Sequence, residues 1–373
     1  MSISSYFLPF SLAAARRAAP ACAGALACAL LMAPALDAQT RILFVGDSIT
    51  QGGQTYASYR YPLFFALDSA GHDVDFVGSL AGPHQNVAPQ SALYPDNFST
   101  YDRDHEGHWG WTTAQIEGII QASAGAHQPD FAVIMLGTND VGRRGAAGVA
   151  EAEVNLSQII ALIRDERPEA VIVLSKVVPL GAGAPGSYGP NSVFIGPLND
   201  AIARVAAAES TPISPVFLAD PGAGFDLASM MQSDEIHPNA AGEQHIANAL
   251  AGALNTLLAN APPGVSLINP TAGASFFAPA TVQVEATAVD TDGAVTAVEL
   301  YAGDSLLGRV TAPPYEISWT ASAPGLFALS AVAIDDRGAR TRSTPVQVTV
   351  LPTGGAVAVP LVNTSFELPA LAD

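Results

Sequence analysis

The sequence contains little cysteine. Its 373 residues include two cysteines, Cys22 and Cys28, and both lie within the first 38 residues. If that segment is a cleaved export signal, the mature chain has no disulfide, no thiol nucleophile and no zinc–thiolate site. Its stability must then come from core packing, for which a hydrophobic share of 49% is sufficient.

Positive charge is also scarce. The chain has 15 Lys and Arg against 34 Asp and Glu, a formal net charge of −19 at pH 7. Nucleic acids and anionic membranes attract basic surfaces, so this balance argues against both as partners. A neutral polymer such as a polysaccharide is compatible with the charge, although the charge does not identify one.

Residues 1–38 have the pattern of a secretion signal. Arg16 and Arg17 precede the apolar run AAPACAGALACALLMAPA, which ends in small residues. Residues 33–35 form a small-x-small cleavage site, and cleavage after Ala38 is the other option. A membrane anchor is the alternative, but the run is shorter than the ~20 apolar residues of a spanning helix. We therefore expect a secreted protein, extracellular or periplasmic, with no membrane in its mature form.

Short apolar segments alternate with helical patterns from Arg41 to about Asn260. Five segments are nearly continuous in apolar residues, as in strands buried on both faces of a parallel sheet: residues 42–45, 74–77, 131–136, 171–174 and 216–218. Helical patterns occupy residues 62–69, 113–122, 147–164, 198–208 and 240–258. The alternation predicts a three-layer α/β/α sandwich with a parallel sheet over residues 39–260. In such a sheet, functional residues lie at the carboxyl ends of the strands.

The composition changes after residue 260. Alternating segments such as TVQVEATAV and PVQVTV, separated by turn signals, predict an all-β sandwich over residues 261–351. The segments VELYAGDSLLGRVTAPPYEISWT and VAIDDRGARTRS resemble the bacterial Ig-like modules appended to secreted glycan-active enzymes. Residues 352–373 resemble a linker and the opening strand of a further β module, which would make the chain a fragment of a longer protein.

The segment RILFVGDSIT ends a predicted strand on a small polar residue, Ser48. Taken alone, these ten residues favour a helix-capping serine. The alternative is a nucleophile, which needs an imidazole base and an acceptor that orients the imidazole. His237 lies after the last predicted strand, and Asp234 precedes it by three residues. In a tight loop, that spacing lets the carboxylate reach the ring.

An acyl transfer also needs hydrogen-bond donors for the oxyanion. Asn139, in MLGTNDVG, follows the third predicted strand on the sheet edge expected for Ser48. Gly110, in HEGHWGWTTAQI, has no side chain, so a substrate oxygen could closely approach its backbone N–H. A turn residue and an ordinary loop glycine are the alternatives for these two positions.

Four motifs occur in this order along the chain: Gly-Asp-Ser at Ser48, the glycine Gly110, Gly-Thr-Asn-Asp at Asn139, and Asp-x-x-His at His237. Together they resemble the SGNH, or GDSL, hydrolase superfamily over residues 41–258. The resemblance implies the SGNH hydrolase fold, whose parallel sheet is flavodoxin-like. It also implies Ser48 as nucleophile and His237 as base oriented by Asp234. It implies that the N–H groups of Ser48 and Gly110 and the amide of Asn139 bind the oxyanion. It also implies chemistry without a metal or a cofactor. The first motif reads GDSIT where the family name expects leucine after serine.

Further segments narrow the resemblance. GDSITQGG, SYRYPL, DFVGS, HEGHWGWTTAQI, GTND and DEIHPN look like carbohydrate esterase family 3, whose members are secreted acetylxylan esterases. The likeness implies removal of O-acetyl groups from plant cell-wall polysaccharide. Two alternatives stay open: another esterase of this fold (a lipase, a thioesterase, or a pectin or peptidoglycan deacetylase), and a non-catalytic glycan-binding or adhesion protein. The oligomeric state stays open too.

Aromatic residues near these motifs are weaker candidates for substrate contact. Trp109, Trp111 and Tyr59 have rings suited to stacking on sugars, with core packing as the alternative. The cluster His105, Glu106 and His108 is a weak metal candidate, because strong zinc sites have clearer spacing. Hydrogen bonding around the site is the favoured interpretation of that cluster.

Overall fold

The computed structural model describes residues 39–53, 57–84 and 101–353. These residues belong to one compact unit that contains an α/β domain and an all-β domain. The predicted secretion signal and most of the predicted C-terminal linker and β module, from residue 354 onward, lie outside the described residues.

The α/β domain is built on a seven-stranded sheet. Its strands are β1 Thr40–Gly46, β2 Val74–Val77, β3 Leu80–Ala81, β4 Asp104–Gly107, β5 Phe131–Met135, β6 Val171–Ser175 and β7 Val216–Ala219. Both β2 and β4 pair with one side of β1 in parallel, and β5, β6 and β7 follow in parallel on its other side. The five predicted strands therefore lie in the flavodoxin-like order, second-first-third-fourth-fifth.

The sheet is mixed, whereas the sequence predicted a parallel one. β3 pairs with β4 in antiparallel register, Leu80 opposite His105 and Ala81 opposite Asp104. The sequence of β4, DHEG, has no apolar run that would mark it as a strand. It is nevertheless buried at His105 and Glu106, because internal hydrogen bonds satisfy both side chains.

Helices cover the two faces of this sheet. They are α1 Ser48–Gln51, α2 Arg60–Ser69, α3 Thr113–His127, α4 Thr138–Arg144, α5 Ala146–Glu166, α6 Tyr188–Asn191, α7 Ile195–Glu209, α8 Leu227–Met230 and α9 Ala240–Leu258, with a 3₁₀ turn at Ser192–Phe194. α5 packs between α3 and α7, and α2 packs against α9, so the helices form two outer layers. The predicted three-layer sandwich is confirmed.

By length and composition, α5 is apolar enough to cross a bilayer. In the structure its buried residues recur at helical spacing, for example Ala152, Leu156, Ile159 and Ile163. This stripe belongs to the same hydrophobic core as the central strands. The helix therefore has the position of a core helix in an α/β domain.

The all-β domain is a two-sheet sandwich. Its strands are β8 Gly264–Asn269, β9 Ser275–Phe277, β10 Ala280–Val289, β11 Val295–Ala302, β12 Ser305–Val310, β13 Tyr315–Ala321, β14 Gly325–Asp335, β15 Arg340–Arg342 and β16 Val346–Leu351. One sheet has the order β13-β10-β8, and the other β12-β11-β14-β16-β9 with β15 on β14. Alternate residues of both sheets, such as Val284 and Leu329, share one core. The predicted all-β sandwich is confirmed.

The all-β domain meets the α/β domain at the amino ends of the central strands. Gly338, with φ +90°, approaches Val171 and Pro215 so closely that an added Cβ would lie 2.9 Å from Val171. Arg340 forms an ion pair of 3.2 Å with Glu169, just before β6. The carboxyl ends of the strands lie at the opposite edge and are not involved in this contact.

Candidate active site

The candidate site lies at the carboxyl ends of β1, β4 and β5. Ser48 follows the end of β1, Gly110 follows β4, and Asn139 follows β5. Strand order reverses at β1, so this is the switch point where open α/β sheets form their binding crevice. The fold thus brings together three segments that lie far apart in the sequence.

Ser48 begins the short helix α1 directly after a tight turn. Gly46 is required there, because a Cβ at this position would collide with the Thr50 side chain. Asp47, rather than Ser48, caps the helix: its Oδ1 accepts a hydrogen bond of 3.0 Å from the Ile49 N–H. The capping interpretation of Ser48 is therefore wrong. Its own N–H, at the first helical position, has no acceptor within the helix.

A continuous hydrogen-bonded series joins Ser48, His237 and Asp234. The Ser48 Oγ lies 2.9 Å from His237 Nε2, and His237 Nδ1 lies 2.7 Å from Asp234 Oδ2. Burial raises the pKa of Asp234, but hydrogen bonds from the His237 ring and from the backbone N–H groups of His237 and Ile236 outweigh it and lower that pKa overall. An ionised Asp234 only accepts, so Nδ1 carries the ring proton. Nε2 is then the acceptor for the Ser48 hydroxyl.

The loop that carries Asp234 and His237 is fixed at both ends. Asn239 caps α9 by accepting from the N–H groups of Ala241 and Gly242. Glu235 sits at φ +54°, and its carboxylate accepts a hydrogen bond of 2.8 Å from the Gly183 N–H. The loop conformation therefore depends on contacts beyond the Asp-x-x-His motif itself.

The turn that carries Gly110 is held by its neighbours on both sides. The Trp109 N–H donates to Gln51 Oε1 at 2.8 Å, and Arg143 Nη2 donates to the Gly110 carbonyl at 2.5 Å. Gly110 adopts φ +74°, a conformation that favours glycine. Within the described part of the chain, its N–H donates no hydrogen bond. This N–H is therefore available to a ligand beside Ser48.

The Asn139 amide is oriented by bonds at both its atoms. The Tyr188 hydroxyl donates to Asn139 Oδ1 at 2.6 Å, while Nδ2 donates to the Trp111 carbonyl at 2.9 Å and approaches Asp47 Oδ2 at 3.3 Å. With Oδ1 accepting from Tyr188, Nδ2 is the amide atom on the side of Asp47, the neighbour of Ser48, and Asn139 lines the same cleft as Ser48. Sequence reasoning missed Gln51 and Tyr188 as supports, because only the tertiary fold brings α1 and α6 to these partners.

We expect Tyr188→Phe to lower kcat by about 10-fold with little change in KM, because a loosely held amide is a poorer donor to a developing oxyanion. The measurement is steady-state kinetics on an aryl acetate for Tyr188→Phe, Asn139→Ala and the double variant. If Tyr188 acts through Asn139, the phenylalanine change has no further effect in the Asn139→Ala background. Independent, multiplicative losses would contradict that role.

Two buried carboxyl groups lie beneath the site. Burial raises the pKa of Asp47 to about 7; the Ile49 N–H opposes this shift, and repulsion from Asp140 adds to it. Burial also raises the pKa of Asp140, against hydrogen bonds from Thr113. The residue next to Ser48 is therefore held in an environment that disfavours its ionised form.

This environment predicts a pH-dependent stability. The folded protein binds the Asp47 proton more tightly than the unfolded chain, whose ordinary pKa is 3.8, so the free energy of unfolding falls as the pH rises from about 4 to about 7. Asp47→Asn cannot ionise. Relative to the wild type, we expect its free energy of unfolding to increase by about 3 kcal/mol between pH 5 and pH 8, because the shift acts over the two pH units from 5 to 7. Urea denaturation of both proteins at both pH values measures this, and a difference that does not change with pH would contradict it.

The three aromatic candidates have different positions. Trp109 and Trp111 line a cleft together with Ser48 and His237. Trp109 stacks on His237 with ring centroids 4.8 Å apart, and Trp111 stacks on His108 at 4.1 Å. Tyr59 is fully buried and its hydroxyl bonds Thr50 Oγ1 at 2.9 Å, so its prediction as a substrate contact is wrong.

The cluster at β4 forms hydrogen bonds within the protein. His105 Nε2 lies 2.8 Å from the Gly82 carbonyl, and Glu106 Oε1 lies 2.6 Å from His108 Nε2. Burial raises the pKa of Glu106, but hydrogen bonds from His108, Ser123 and Ser79 bring it down to about 2. No three metal-ligating side chains converge anywhere in the described ranges. The cluster anchors β4 and the His108 ring under Trp111.

An α/β domain whose strand ends gather a serine, a histidine and an aspartate in hydrogen-bonded series has the architecture of a serine hydrolase. A family model described as "GDSL-like Lipase/Acylhydrolase family" matches residues 44–245, more than half of the chain. The chain belongs to this family and is an esterase. A second model, "Bacterial Ig domain", matches residues 263–350.

The structure is also similar to several solved structures. A carbohydrate esterase family 3 protein from Talaromyces cellulolyticus matches with 29% identity and a TM-score of 0.49, over 59% of this chain and 99% of that one. A family 3 carbohydrate esterase from Clostridium thermocellum matches with 27% identity and a TM-score of 0.48, over 60% and 98%. Fibronectin(III)-like modules of Clostridium thermocellum CbhA match with 35% identity and a TM-score of 0.23, over 24% and 96%. A search of curated proteins gave no match.

Proposed function

We propose that this protein is a secreted esterase that removes O-acetyl groups from plant cell-wall polysaccharide such as acetylxylan. The observation that carries the proposal is the Ser48–His237–Asp234 series, which opens into a cleft beside two tryptophans. The sequence segments that resemble carbohydrate esterase family 3 support a carbohydrate substrate. The appended Ig-like domain is compatible with such a substrate.

The cleft lining favours a short acyl group on a sugar. Its described walls are aromatic and polar, and Ile236 is the single aliphatic side chain among them. A long acyl chain requires a continuous apolar channel to replace water around its methylenes. Trp109 already stacks on both His237 and His84, the latter with ring centroids 4.7 Å apart. Trp111 stacks on His108 and provides a flat face of the kind on which sugar rings stack. An acetyl ester on a polysaccharide therefore fits this lining better than a lipid.

In the proposed reaction, His237 Nε2 takes the Ser48 proton as Oγ attacks the acetyl carbonyl. The oxyanion receives hydrogen bonds from the N–H groups of Ser48 and Gly110. It also receives one from the Asn139 amide, in place of the long 3.3 Å bond from Nδ2 to Asp47. Asp234 stabilises the imidazolium that forms. His237 then protonates the leaving sugar oxygen, and the acetyl group stays on Ser48.

Deacylation reverses these roles. His237 Nε2 takes a proton from a water molecule, the hydroxide attacks the acetyl-serine carbonyl, and the same three donors hold the second oxyanion. Ser48 recovers its proton from His237 as acetate leaves. Every proton moves among water, Ser48, His237 and the sugar, so the chain's own side chains are sufficient for the cycle.

A substrate panel tests the proposal. Residues 39–373 are assayed for acetate release from acetylated xylan and for hydrolysis of aryl acetate, butyrate and octanoate. We expect acetate release from xylan and a kcat/KM that falls as the acyl chain lengthens. Preference for octanoate, or no release from any acetylated polysaccharide, would overturn the substrate assignment while leaving the esterase class intact.

The secretion proposal has its own test. The full chain is expressed with residues 1–38 in a bacterial host, and the exported protein is sequenced from its amino end. We expect it to begin at Leu36 or Gln39. Retention of residues 1–38 on a membrane-bound protein would favour the anchor alternative.

A further inference from the structure

The described lining of the cleft contains one permanently charged side chain, Arg143. The other lining residues are neutral or belong to the candidate catalytic set, and Asp47 and Asp140 are buried beneath the surface. Arg143 is exposed at the end of α4. A lone cation is notable in a protein of net charge −19. The net negative charge opposes the approach of an acidic polymer, and among the described residues of the cleft Arg143 supplies a local attraction for one.

The Arg143 guanidinium has unused hydrogen-bonding capacity. It donates from Nη2 to the Gly110 carbonyl at 2.5 Å, and it forms no ion pair with a described carboxylate. A guanidinium has five N–H donors, and within the described part of the chain only one of those of Arg143 is in a hydrogen bond. The neighbouring Arg144 is different, because it pairs with Glu151 at 2.6 Å. Arg143 is therefore a positive charge in the cleft with no carboxylate partner among the described residues. Arg144 is a surface charge that is already paired.

We propose that Arg143 binds a carboxylate of the polysaccharide, so that the preferred substrates are O-acetyl esters on or next to uronic acid residues. A guanidinium fork matches a carboxylate with two parallel hydrogen bonds. Arg143 is bonded to the Gly110 turn and lines the same cleft as Ser48, so a uronate held there lies beside an ester at Ser48. This inference rests on the proposed function and narrows its substrate class to acidic acetylated polysaccharide.

The experiment compares two acetylated xylo-oligosaccharides that are identical except that one, the acidic substrate, carries a glucuronic acid side group and the other does not. The variants are Arg143→Gln, which removes the charge and leaves a shorter amide donor, Arg143→Lys, which keeps the charge, and the matched control Arg144→Gln. We expect the wild type to prefer the acidic substrate by about 10-fold in kcat/KM, as for a hydrogen bond between charged groups. Arg143→Gln should abolish this preference, Arg143→Lys should keep part of it, and Arg144→Gln should leave it unchanged.

The two proposals fail in different ways. Equal loss on both substrates in Arg143→Gln would mean that Arg143 only supports the Gly110 turn, and it would overturn the carboxylate site. A wild type without preference would overturn it too, while turnover of both substrates would still support the acetylesterase proposal. A wild type that cleaves aryl acetate but neither oligosaccharide would contradict the proposed function, and the inference would fall with it.

Discussion

Ser48→Ala is expected to reduce kcat for an aryl acetate by ~10⁴-fold or more, since the variant has no oxygen that can form an acyl-enzyme. Residual activity should come from the oxyanion donors, which the substitution leaves in place. Ser48 is 4% exposed, and among the described residues its Oγ hydrogen-bonds only to His237, so alanine fits the same space. The fold and the binding of acetylated xylan should therefore survive.

Steady-state kinetics and glycan binding measure the two effects separately. Ser229→Ala, on α8 and outside the site, is the matched control and should retain wild-type kinetics. Activity within about 10-fold of wild type in Ser48→Ala would show that another residue is the nucleophile. Binding without turnover in the wild type itself would favour the non-catalytic alternative.

Asp234→Asn is expected to lower kcat by about 10²- to 10⁴-fold. The asparagine oxygen can still accept from the N–H groups of Ile236 and His237, so the loop keeps its shape. The amide lacks the negative charge that holds the proton on His237 Nδ1. The ring is then free to carry its proton on Nε2, where it donates to Ser48 and cannot act as the base.

The control for this variant is Asp226→Asn, an exposed carboxylate that caps α8. It should lose little or no activity. A crystal structure of Asp234→Asn with an unchanged loop, combined with the expected loss, would assign the effect to the tautomer. Wild-type kcat in Asp234→Asn would contradict the role of this acid.

The fold was predictable where burial leaves a simple pattern. β5 and β6 are continuous apolar runs, and α9 was predicted with its exact bounds, because long apolar periods leave few alternatives. β4 was missed because DHEG is polar and is buried only through partners elsewhere. α4 was missed because TNDVGRR has no apolar period, and Gly145 separates it from α5 with φ +56°.

The site was predictable as far as local motifs reach. Ser48 and Asn139 follow predicted strands, and the parallel pairing of β1 with β5 brings those strand ends together. Gly110 follows β4, which was not predicted, so its motif alone indicated its role. Tyr59 was wrongly predicted to contact the substrate, because closeness to a motif in the sequence does not tell whether a ring points into the cleft or into the core. The roles of Tyr188 and Arg143 depend on contacts made across the cleft, and no pattern in the linear sequence records such contacts.

The most direct test of the account is covalent labelling of the active enzyme. The protein, residues 39–373, is treated with a fluorophosphonate, digested and mapped by mass spectrometry while aryl acetate turnover is followed. Because only a serine activated by a neighbouring imidazole reacts readily, we expect one adduct per chain, on Ser48, formed in step with the loss of activity. An adduct on another residue, or full activity without an adduct on Ser48, would contradict the account.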